Sequence, residues 1–324
     1  MTETAGVTVL AGGVGAARFL RGLMDVVSHD RITAVVNTGD DTELHGLSIS
    51  PDLDTITYTL AGAIDPERGW GLAGETWRAM EALERFLAVR PPGSSAAPTW
   101  FNLGDQDLAT HFYRTARRRE GASLTEVTSE IARAWGLELS IVPMTDDRFR
   151  TKVTLADGGE EVDFQDYFVR LRHGVPVSAI RFDHDDARPT DAALAAITDA
   201  RVVVVAPSNP LVSIGPIRAL PGVDAQLAVR RDSVVAVSPI VGGAALKGPA
   251  DRMLVELGME PSVVGVARLY APIAATLVVD PVDAGLASAV EGTGMRCVVT
   301  PSVMSTPDRA AALARACLDA AGGV

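Results

Sequence analysis

Short apolar runs alternate with longer amphipathic stretches along most of the chain. The first pair is an apolar run over 7–10 followed by residues 16–27, where hydrophobic side chains recur at helical spacing. Later apolar runs are short and rich in β-branched residues, which is typical of buried parallel strands. They occupy 32–36, 202–205, 234–237, 275–279 and 297–300. Helices are predicted over 76–89, 250–257 and 308–321, with two more ending near 118 and 135. Asp54 or Thr55 is the predicted cap of a helix that runs to Leu60, and Thr190 caps a further one. This alternation predicts a doubly wound α/β fold with a mostly parallel, Rossmann-like sheet.

One segment departs from this alternation. Strand-like residues 152–155 and 161–163 flank Asp157-Gly158-Gly159, which is a hairpin signal. We therefore predict a smaller inserted α+β subdomain over 106–184, and a Rossmann-like core formed by 1–105 and 185–324. The Pro/Ser/Ala-rich residues 90–99 are the predicted linker.

Composition excludes several classes of protein. The 324 residues carry 41 acidic and 29 basic side chains, a formal charge of -12, which argues against a nucleic-acid binder. The two cysteines, Cys297 and Cys317, cannot build a zinc quartet or a disulfide framework, and they favour a reducing cytoplasm. No uncharged apolar stretch reaches the roughly 18 residues of a membrane span, so no membrane association is expected. Residues 1–6 show no secretory signal.

Gly12-Gly13-Val14-Gly15 lies between the first predicted strand and helix. Glycines there let the backbone approach a phosphate, and the helix N-terminus supplies N–H donors. A dinucleotide fingerprint needs a third glycine where Arg18 stands and an acidic residue where Asn37 stands, so an NAD oxidoreductase is disfavoured. The alternative is a tight turn that needs glycine for geometry alone.

Four aspartates, Asp40, Asp41, Asp52 and Asp54, fall in loops expected at the carboxyl ends of strands, where open α/β sheets bind ligands. Clustered carboxylates suit Mg²⁺, which shares its oxygen ligands with substrate phosphates. A carboxylate could also accept the proton of an attacking hydroxyl. The alternative is that these aspartates serve turns and caps.

Two further regions carry polar side chains next to predicted elements. Asp107 and His111 are spaced to share one helix face, although helix capping is the favoured interpretation. Three loops that follow the later strands combine hydroxyls, an amide and backbone donors with Lys247, and together they are typical of a nucleotide pocket. These loops are Pro207-Ser208-Asn209-Pro210, Ser213-Ile214-Gly215-Pro216 and 238–247.

The order of these motifs resembles that of the 2-phospho-L-lactate transferase family from about Val7 to about Thr306. Each motif alone is weak, but the ordered set is specific. The matching motifs are Gly12-Gly13-Val14-Gly15, Asn37-Thr38-Gly39-Asp40-Asp41, His45-Gly46, Pro51-Asp52-Leu53-Asp54-Thr55, Gly104-Asp105 with Asp107, Ala109-Thr110-His111, Pro143-Met144-Thr145-Asp146-Asp147, Pro207-Ser208-Asn209-Pro210, Ser213-Ile214-Gly215 and Ser238-Pro239-Ile240.

The resemblance implies a step in the biosynthesis of the deazaflavin coenzyme F-420. Members join a phospho-organic acid, carried as a guanosine diphosphate ester, to the ribityl hydroxyl of the deazaflavin Fo, and GMP leaves. Mg²⁺ as cofactor and a homodimer are usual. The donor is an enolpyruvyl ester in actinobacterial members and a lactyl ester in archaeal ones. The lysine-poor, Arg/Ala-rich composition favours the enolpyruvyl donor.

The family pattern also assigns expected roles to residues. Asp40 and Asp52 match the carboxylates that hold Mg²⁺ or assist transfer, and Asp54, with Thr55 beside it, matches the contact to Fo. The remaining candidates are substrate-binding: Gly12, Gly13 and Gly15 near the phosphates, and Asn209, Ser213 and Lys247 on the GMP side.

Two positions depart from the family pattern, since Gln106 stands where arginine is common and Glu43 where tryptophan is common. A rival hypothesis is a related non-enzymatic regulator that binds a nucleotide sugar. The Asp40/Asp52 pair separates the two hypotheses, because only the transferase requires it.

Overall fold

The computed structural model describes residues 6–94 and 96–322, so the residues 1–5 of the signal-peptide prediction lie outside the described part. The strands are β1 Val7–Ala11, β2 Ile32–Val36, β3 Thr42–Leu44, β4 Leu47–Ile49, β5 Ser140–Pro143, β6 Phe149–Leu155, β7 Glu161–Asp163, β8 Val177–His184, β9 Val202–Val205, β10 Val234–Val237, β11 Ile240–Val241, β12 Ala244–Ala245, β13 Thr276–Val279 and β14 Arg296–Val299. The α-helices are α1 Gly13–Met24, α2 Pro51–Leu60, α3 Arg78–Leu87, α4 Asp105–Arg119, α5 Leu124–Ala134, α6 Asp191–Asp199, α7 Gly215–Ala219, α8 Val223–Val229, α9 Ala250–Glu256, α10 Val263–Tyr270, α11 Ala287–Glu291 and α12 Pro307–Ala320.

Seven strands form a parallel central sheet in the order β14-β13-β10-β9-β1-β2-β5. β1 lies between β9 and β2, pairing with β2 through Val7 and Ile32 and with β9 through Val7 and Val202. The chain builds outward from β1 to one edge and then crosses back to β9, which creates a topological switch point between β1 and β9. Open α/β sheets bind ligands at such a point, beyond the carboxyl ends of the strands. The predicted doubly wound fold is confirmed.

Both faces of this sheet are buried, which explains why its strands are almost continuously apolar. Alternate residues of β1 divide between the two faces, with Leu10 in one core cluster and Val9 in the other. Helices α1, α2, α5 and α12 contribute to the cluster around Val9, and α6 to α10 contribute to the cluster around Leu10. At the carboxyl edge of the sheet, the strands are followed by loops and by the first turns of helices.

Helix α2 begins earlier than the sequence predicts. Pro51 occupies its first turn after Ser50, and the Asp54 N–H already donates to the Ser50 carbonyl oxygen at 3.0 Å. Proline is favoured at this position because its fixed φ suits a helix and the first-turn N–H groups have no helical acceptor. The prediction that Asp52 and Asp54 lie in a loop is therefore wrong. Both lie in the first turn of α2, where carboxylates are favoured by the helix dipole.

The segment predicted to be an insertion contributes to two different sheets. Strand β5 pairs in parallel with β2, so residues 140–143 form an edge of the central sheet. The separate antiparallel sheet β7-β6-β8 covers 149–184, and its hairpin turn contains Gly158 and Gly159 at positive φ, as the sequence predicts. The division into domains stays a prediction, with β5 placed in the core sheet. Among the described helices, none has both the length and the apolarity to cross a bilayer.

Candidate active site

Loops from three neighbouring strands meet at the switch point. The Ser208 hydroxyl, after β9, donates to the Gly12 carbonyl oxygen, after β1, at 2.8 Å. A Cβ atom added to Gly15 would lie 2.3 Å from the Pro207 carbonyl oxygen, so only glycine lets α1 start this close to the loop after β9. Packing alone therefore accounts for the glycine at position 15.

Gly12 and Gly13 lie against two of the predicted site residues. A Cβ on Gly12 would be 2.8 Å from Ser213 Cβ and 2.9 Å from Asp52 Oδ2. Gly13 has a φ of +69°, which other residues rarely adopt, and its backbone N–H donates a hydrogen bond that lowers the pKa of Asp52. The structure thus brings the glycine loop, Asp52 and Ser213 together.

Asn37, directly after β2, connects these loops. Its side-chain amide donates to Asp52 Oδ2 at 2.9 Å, and its Oδ1 accepts from the Gly39 N–H at 2.8 Å. The same side chain hydrogen bonds with Asp40, and Asn37 is fully buried. The sequence disfavours an NAD enzyme at Asn37 and places this residue in a family motif, but this bridging role was not predicted. Its position at a strand end, before a turn carrying two aspartates, was the available signal.

Asp40, Asp41 and Asp52 form an acidic centre. In the described part of the chain none of the three forms an ion pair, although the charges of Arg114 and Arg150 partly offset the effect of burial on the pKa of Asp41. Burial raises the pKa of Asp52 to about 6, against the hydrogen bonds from Asn37 and Gly13. Burial and the charge of Asp52 together raise the pKa of Asp40 well above its ordinary value. Burial likewise raises the pKa of Asp41 to about 7, although the Ser50 hydroxyl donates to its Oδ2 at 2.7 Å.

Two carboxylate oxygens of this acidic centre lack a hydrogen-bond partner. Asp40 Oδ1 and Asp41 Oδ1 are both buried, and neither has a partner among residues 6–94 and 96–322. A buried, unpaired carboxylate oxygen carries a desolvation cost that a cation would remove. The acidic centre therefore offers oxygen ligands of the type that Mg²⁺ prefers.

A second cluster, the Arg114 network, contains its own cation, whose charge also reaches Asp41 of the acidic centre. Arg114 donates to both oxygens of Asp54, at 3.1 Å for the Nη1–Oδ2 pair, and its Nη1 lies 3.2 Å from His111 Nδ1. His111 Nε2 lies 3.2 Å from Asp107 Oδ2, and the Tyr58 hydroxyl donates to Asp107 Oδ1 at 2.6 Å. Arg114 is 2% exposed.

The pKa of the Arg114 network's Asp107 is lowered, whereas the pKa values of the three aspartates of the acidic centre are raised. Burial opposes ionisation of both Asp107 and Arg114. Contacts with His111 and Tyr58 nevertheless lower the pKa of Asp107, and Asp54 raises the pKa of Arg114. Asp54, Asp107 and His111 have ligand atoms within 4.8 Å of one another, but the Arg114 guanidinium already neutralises Asp54. The sequence reasoning missed Arg114, whose only signal was its position three residues after His111 on α4.

Of the other predicted binding residues, Ser213 and Thr55 lie next to site residues, whereas Asn209 and Lys247 have other neighbours. Ser213 faces Gly12, and Thr55 is half-buried on α2 next to Asp54. Asn209 Oδ1 accepts from the Leu211 N–H at 2.9 Å, so this oxygen holds its own turn. Lys247 is exposed, and its Nζ lies 3.0 Å from the position of a Cβ on Gly69. The predicted ligand-binding roles of these residues stay predictions.

A cavity of about 1160 Å³ opens beside the β3–β4 hairpin, which follows Asp40 and Asp41 in the chain. Its wall includes Glu43, His45, Arg90 and Trp100. Glu43, one of the two departures from the family pattern, thus faces a cavity large enough for a ring system.

Comparison with solved structures identifies the fold. A crystal structure of a UPF0052 family protein from Bacillus halodurans aligns with a TM-score of 0.61 at 16% identity, covering 98% of this chain and 100% of that one. A second crystal structure of a Bacillus halodurans protein aligns with a TM-score of 0.63, also at 16% identity. Similarity at this level of identity concerns the fold alone.

Sequence comparison is more specific. The sequence profile of the 2-phospho-L-lactate transferase CofD family matches residues 7–301. Proteins named phosphoenolpyruvate transferase are similar over nearly their whole length. That of Streptomyces griseus subsp. griseus is 42% identical, covering 97% of this chain and 98% of the relative. That of Kitasatospora aureofaciens is 41% identical, covering 96% of each chain, and that of Mycobacterium tuberculosis is 39% identical, covering 98% of this chain and 99% of the relative. The resemblance inferred from the ordered motifs is confirmed: the chain belongs to the 2-phospho-L-lactate transferase family.

Proposed function

We propose that this protein is a transferase of coenzyme F-420 biosynthesis that moves a phosphoenolpyruvyl group from a guanosine diphosphate ester to the ribityl hydroxyl of Fo and releases GMP. Family membership and the phosphoenolpyruvate transferase relatives support the reaction class and the donor. The observation that carries the proposal is the under-partnered pair Asp40 and Asp52 at the switch point, beside the glycine loop. A regulator that only binds a nucleotide has no need of two buried carboxylates that repel each other.

Mg²⁺ is the proposed cofactor, and the residues present fit it. Asp40 and Asp52 would hold the ion, because Asp40 Oδ1 is unpaired and both carboxyl groups have raised pKa values. When bound, the ion would offset the negative charge that develops on the diphosphate as its bond breaks. Asn37 fixes the orientation of Asp52 by donating to its Oδ2, so the second carboxylate oxygen stays directed towards the glycine loop.

The protein's own groups supply positioning and proton transfer. The glycine loop and the first turn of α1 offer backbone N–H donors to the diphosphate. A carboxylate of the acidic centre accepts the proton of the ribityl hydroxyl. The hydroxyl oxygen forms a bond to the distal phosphorus, and the bond from that phosphorus to the oxygen of GMP breaks. We assign the acceptor's ring system to the cavity beside β3 and β4, which has a volume of about 1160 Å³.

Mass spectrometry tests this function directly. Purified protein is incubated with Fo, Mg²⁺ and a mixture of guanosine diphosphate esters carrying enolpyruvate, lactate or glycerate. The expected products are GMP and an Fo phosphodiester with the enolpyruvyl mass, whereas a lactyl mass would replace the donor assignment. Binding of Fo without product would reject these donors, and absence of both would favour the nucleotide-sugar-binding regulator. The cytoplasmic location and the homodimer belong to the same proposal, and light scattering of the purified protein tests the dimer.

A further inference from the structure

Thr151 is a polar residue on an otherwise apolar face of β6. Alternate residues of this strand turn towards the protein interior, and the other three on that face are Phe149, Val153 and Leu155. All four are buried, and Thr151 is 1% exposed. A valine would fill the position with nearly the same volume and would bring no hydroxyl to desolvate. Packing alone therefore does not explain the threonine.

The Thr151 hydroxyl is left without a hydrogen bond. Its Oγ1 is buried, and none of the residues 6–94 and 96–322 pairs with it. A buried hydroxyl without a partner lowers stability, because its hydrogen bonds to water are lost on folding and are not replaced. A group bound next to Thr151 would remove this cost.

Backbone and side-chain contacts place this hydroxyl beside the acidic centre. The Thr151 N–H donates to the Gly39 carbonyl oxygen at 2.8 Å, which fixes β6 against the turn that leads to Asp40. A Cβ on Gly39 would lie 2.6 Å from Thr151 Oγ1 and 3.0 Å from Asn37 Oδ1. The hydroxyl therefore lies next to the Asn37 side chain. That side chain hydrogen bonds with both Asp40 and Asp52.

Position distinguishes Thr151 from other unpaired threonines of the described ranges. Thr276, at the start of β13, also has a buried hydroxyl without a partner, so this property alone does not indicate a site. Around the turn 37–41, however, several such oxygens occur together. They are Thr38 Oγ1, Asp40 Oδ1 and Asp41 Oδ1 within the turn, and Thr151 Oγ1 against Gly39. Neutral and charged oxygens without partners are thus combined at one place.

We propose that Thr151 is a further residue of the cation site and that its hydroxyl binds the hydrated ion held by Asp40 and Asp52. This inference rests on the proposed function, since it concerns the Mg²⁺ ion of that reaction. Mg²⁺ keeps several water ligands in proteins, so a neutral oxygen beside the carboxylates supports the ion through those waters. Residues that support metal ligands in this way contribute strongly to metal affinity. Because Thr151 belongs to the small sheet, the ion joins that sheet to the central one.

Calorimetric titration with Mn²⁺, which takes the same oxygen ligands as Mg²⁺, tests this contact without any substrate. Thr151→Val should raise the Kd for Mn²⁺ about tenfold, the lower end of the effect usual for a residue that supports a metal ligand. Thr151→Ser retains the hydroxyl and should keep the wild-type Kd. The matched control is Thr154→Val, on the half-buried face of the same strand, and it should keep the wild-type Kd as well.

Thermal melts separate ion binding from a purely structural role. In EDTA, the midpoint of Thr151→Val should equal or exceed that of the wild type, because the variant loses an unpartnered buried hydroxyl. Added Mn²⁺ should raise the midpoint of the wild type more than that of Thr151→Val. A midpoint of Thr151→Val in EDTA that lies well below the wild-type value would assign the hydroxyl to the fold and overturn the inference.

The inference is also overturned if Thr151→Val keeps the wild-type Kd for Mn²⁺, if Thr154→Val weakens binding equally, or if the wild type binds no Mn²⁺. Failure of the proposed function is a different result, because the wild-type protein would then form no product with Fo and the guanosine diphosphate esters.

Discussion

Asp52 and Asp54 are separated by one residue in the first turn of α2, yet their electrostatic surroundings are opposite. Asp54 binds the guanidinium of Arg114 through both oxygens. Asp52 receives only neutral donors, the Asn37 amide and the Gly13 N–H, while Asp40 faces it with a second negative charge. Both carboxylates are buried, with 7% of Asp52 and 6% of Asp54 exposed, so burial does not explain the difference.

The difference separates a carboxylate that an arginine neutralises from one that has only neutral donors among the described residues, and the contact of Asp54 with Fo stays a prediction. A carboxylate neutralised by an arginine of the same chain is committed to the fold, because breaking the pair leaves a buried charge. A carboxylate held only by neutral donors is oriented but keeps its charge available to a bound cation. Perturbed carboxylates that lack a partner are for this reason typical of functional sites.

The largest expected effect concerns the Arg114 network. Arg114→Met should lower the free energy of unfolding by about 3–5 kcal/mol, because Asp54 would remain buried without its cation. Chemical denaturation followed by circular dichroism measures this loss. The matched control is Arg117→Met on the same helix, since Arg117 pairs with Glu130 in a partly exposed position. Equal denaturation midpoints for the two variants would contradict a structural role for Arg114.

A smaller effect on stability but a large one on turnover is expected in the acidic centre. Asp52→Asn should reduce kcat about 100-fold, the usual size for loss of one charge-stabilising group, while the fold remains intact. Its thermal midpoint at pH 8 should equal or exceed that of the wild type, because a buried negative charge is removed. Asp157→Asn, in the exposed β6–β7 turn, is the control and should retain full activity. An active Asp52→Asn variant would remove Asp52 from the reaction.

The pH dependence of stability sharpens the comparison further. Folded-state pKa values of about 6 for Asp52 and about 7 for Asp41 lie above the unfolded value near 4. These groups bind protons more tightly when folded, so their contribution to stability is complete below about pH 4 and is lost as pH rises through 6 and 7. Each unit of difference corresponds to about 1.4 kcal/mol.

Thermal melts with and without Mg²⁺ check this linkage. The ion should raise the midpoint more at pH 8 than at pH 5, because protons compete with it for the same carboxylates. In Asp40→Asn the dependence on both pH and Mg²⁺ should weaken. A Mg²⁺ effect that is equal at the two pH values would show that the ion does not bind at these carboxyl groups.

The central sheet was predictable because each of its strands except one is a short valine-rich run. β2 has the predicted bounds, and β9 and β10 do too. β5 was missed, since its apolar run is only Ile141-Val142 before Pro143, a residue that argues against a strand. The hairpin at Gly158 and Gly159 was predictable from its turn residues.

The site was predictable as a set of loops but not as a set of contacts. Sequence order indicates that Asp40 and Asp52 follow strands, yet only the fold shows that Asn37 bridges them. Arg114 lies 60 residues from Asp54 in the chain, and no local pattern predicts that pairing. Such contacts depend on how α2 and α4 pack, which is decided by the tertiary structure.

The position of β9 has a consequence for synthesis of the protein on the ribosome. β1 leaves the ribosome first, but its second neighbour in the sheet is β9, and the contact between Ser208 and Gly12 spans 196 residues. A nascent chain that has not reached this point can form the pairing of β1 with β2 but leaves the other edge of β1 open. Long-range pairing of this kind is slow and exposes a strand edge. The loops after β1 and β9 therefore come together only after Ser208, about two thirds of the way along these 324 residues, has emerged.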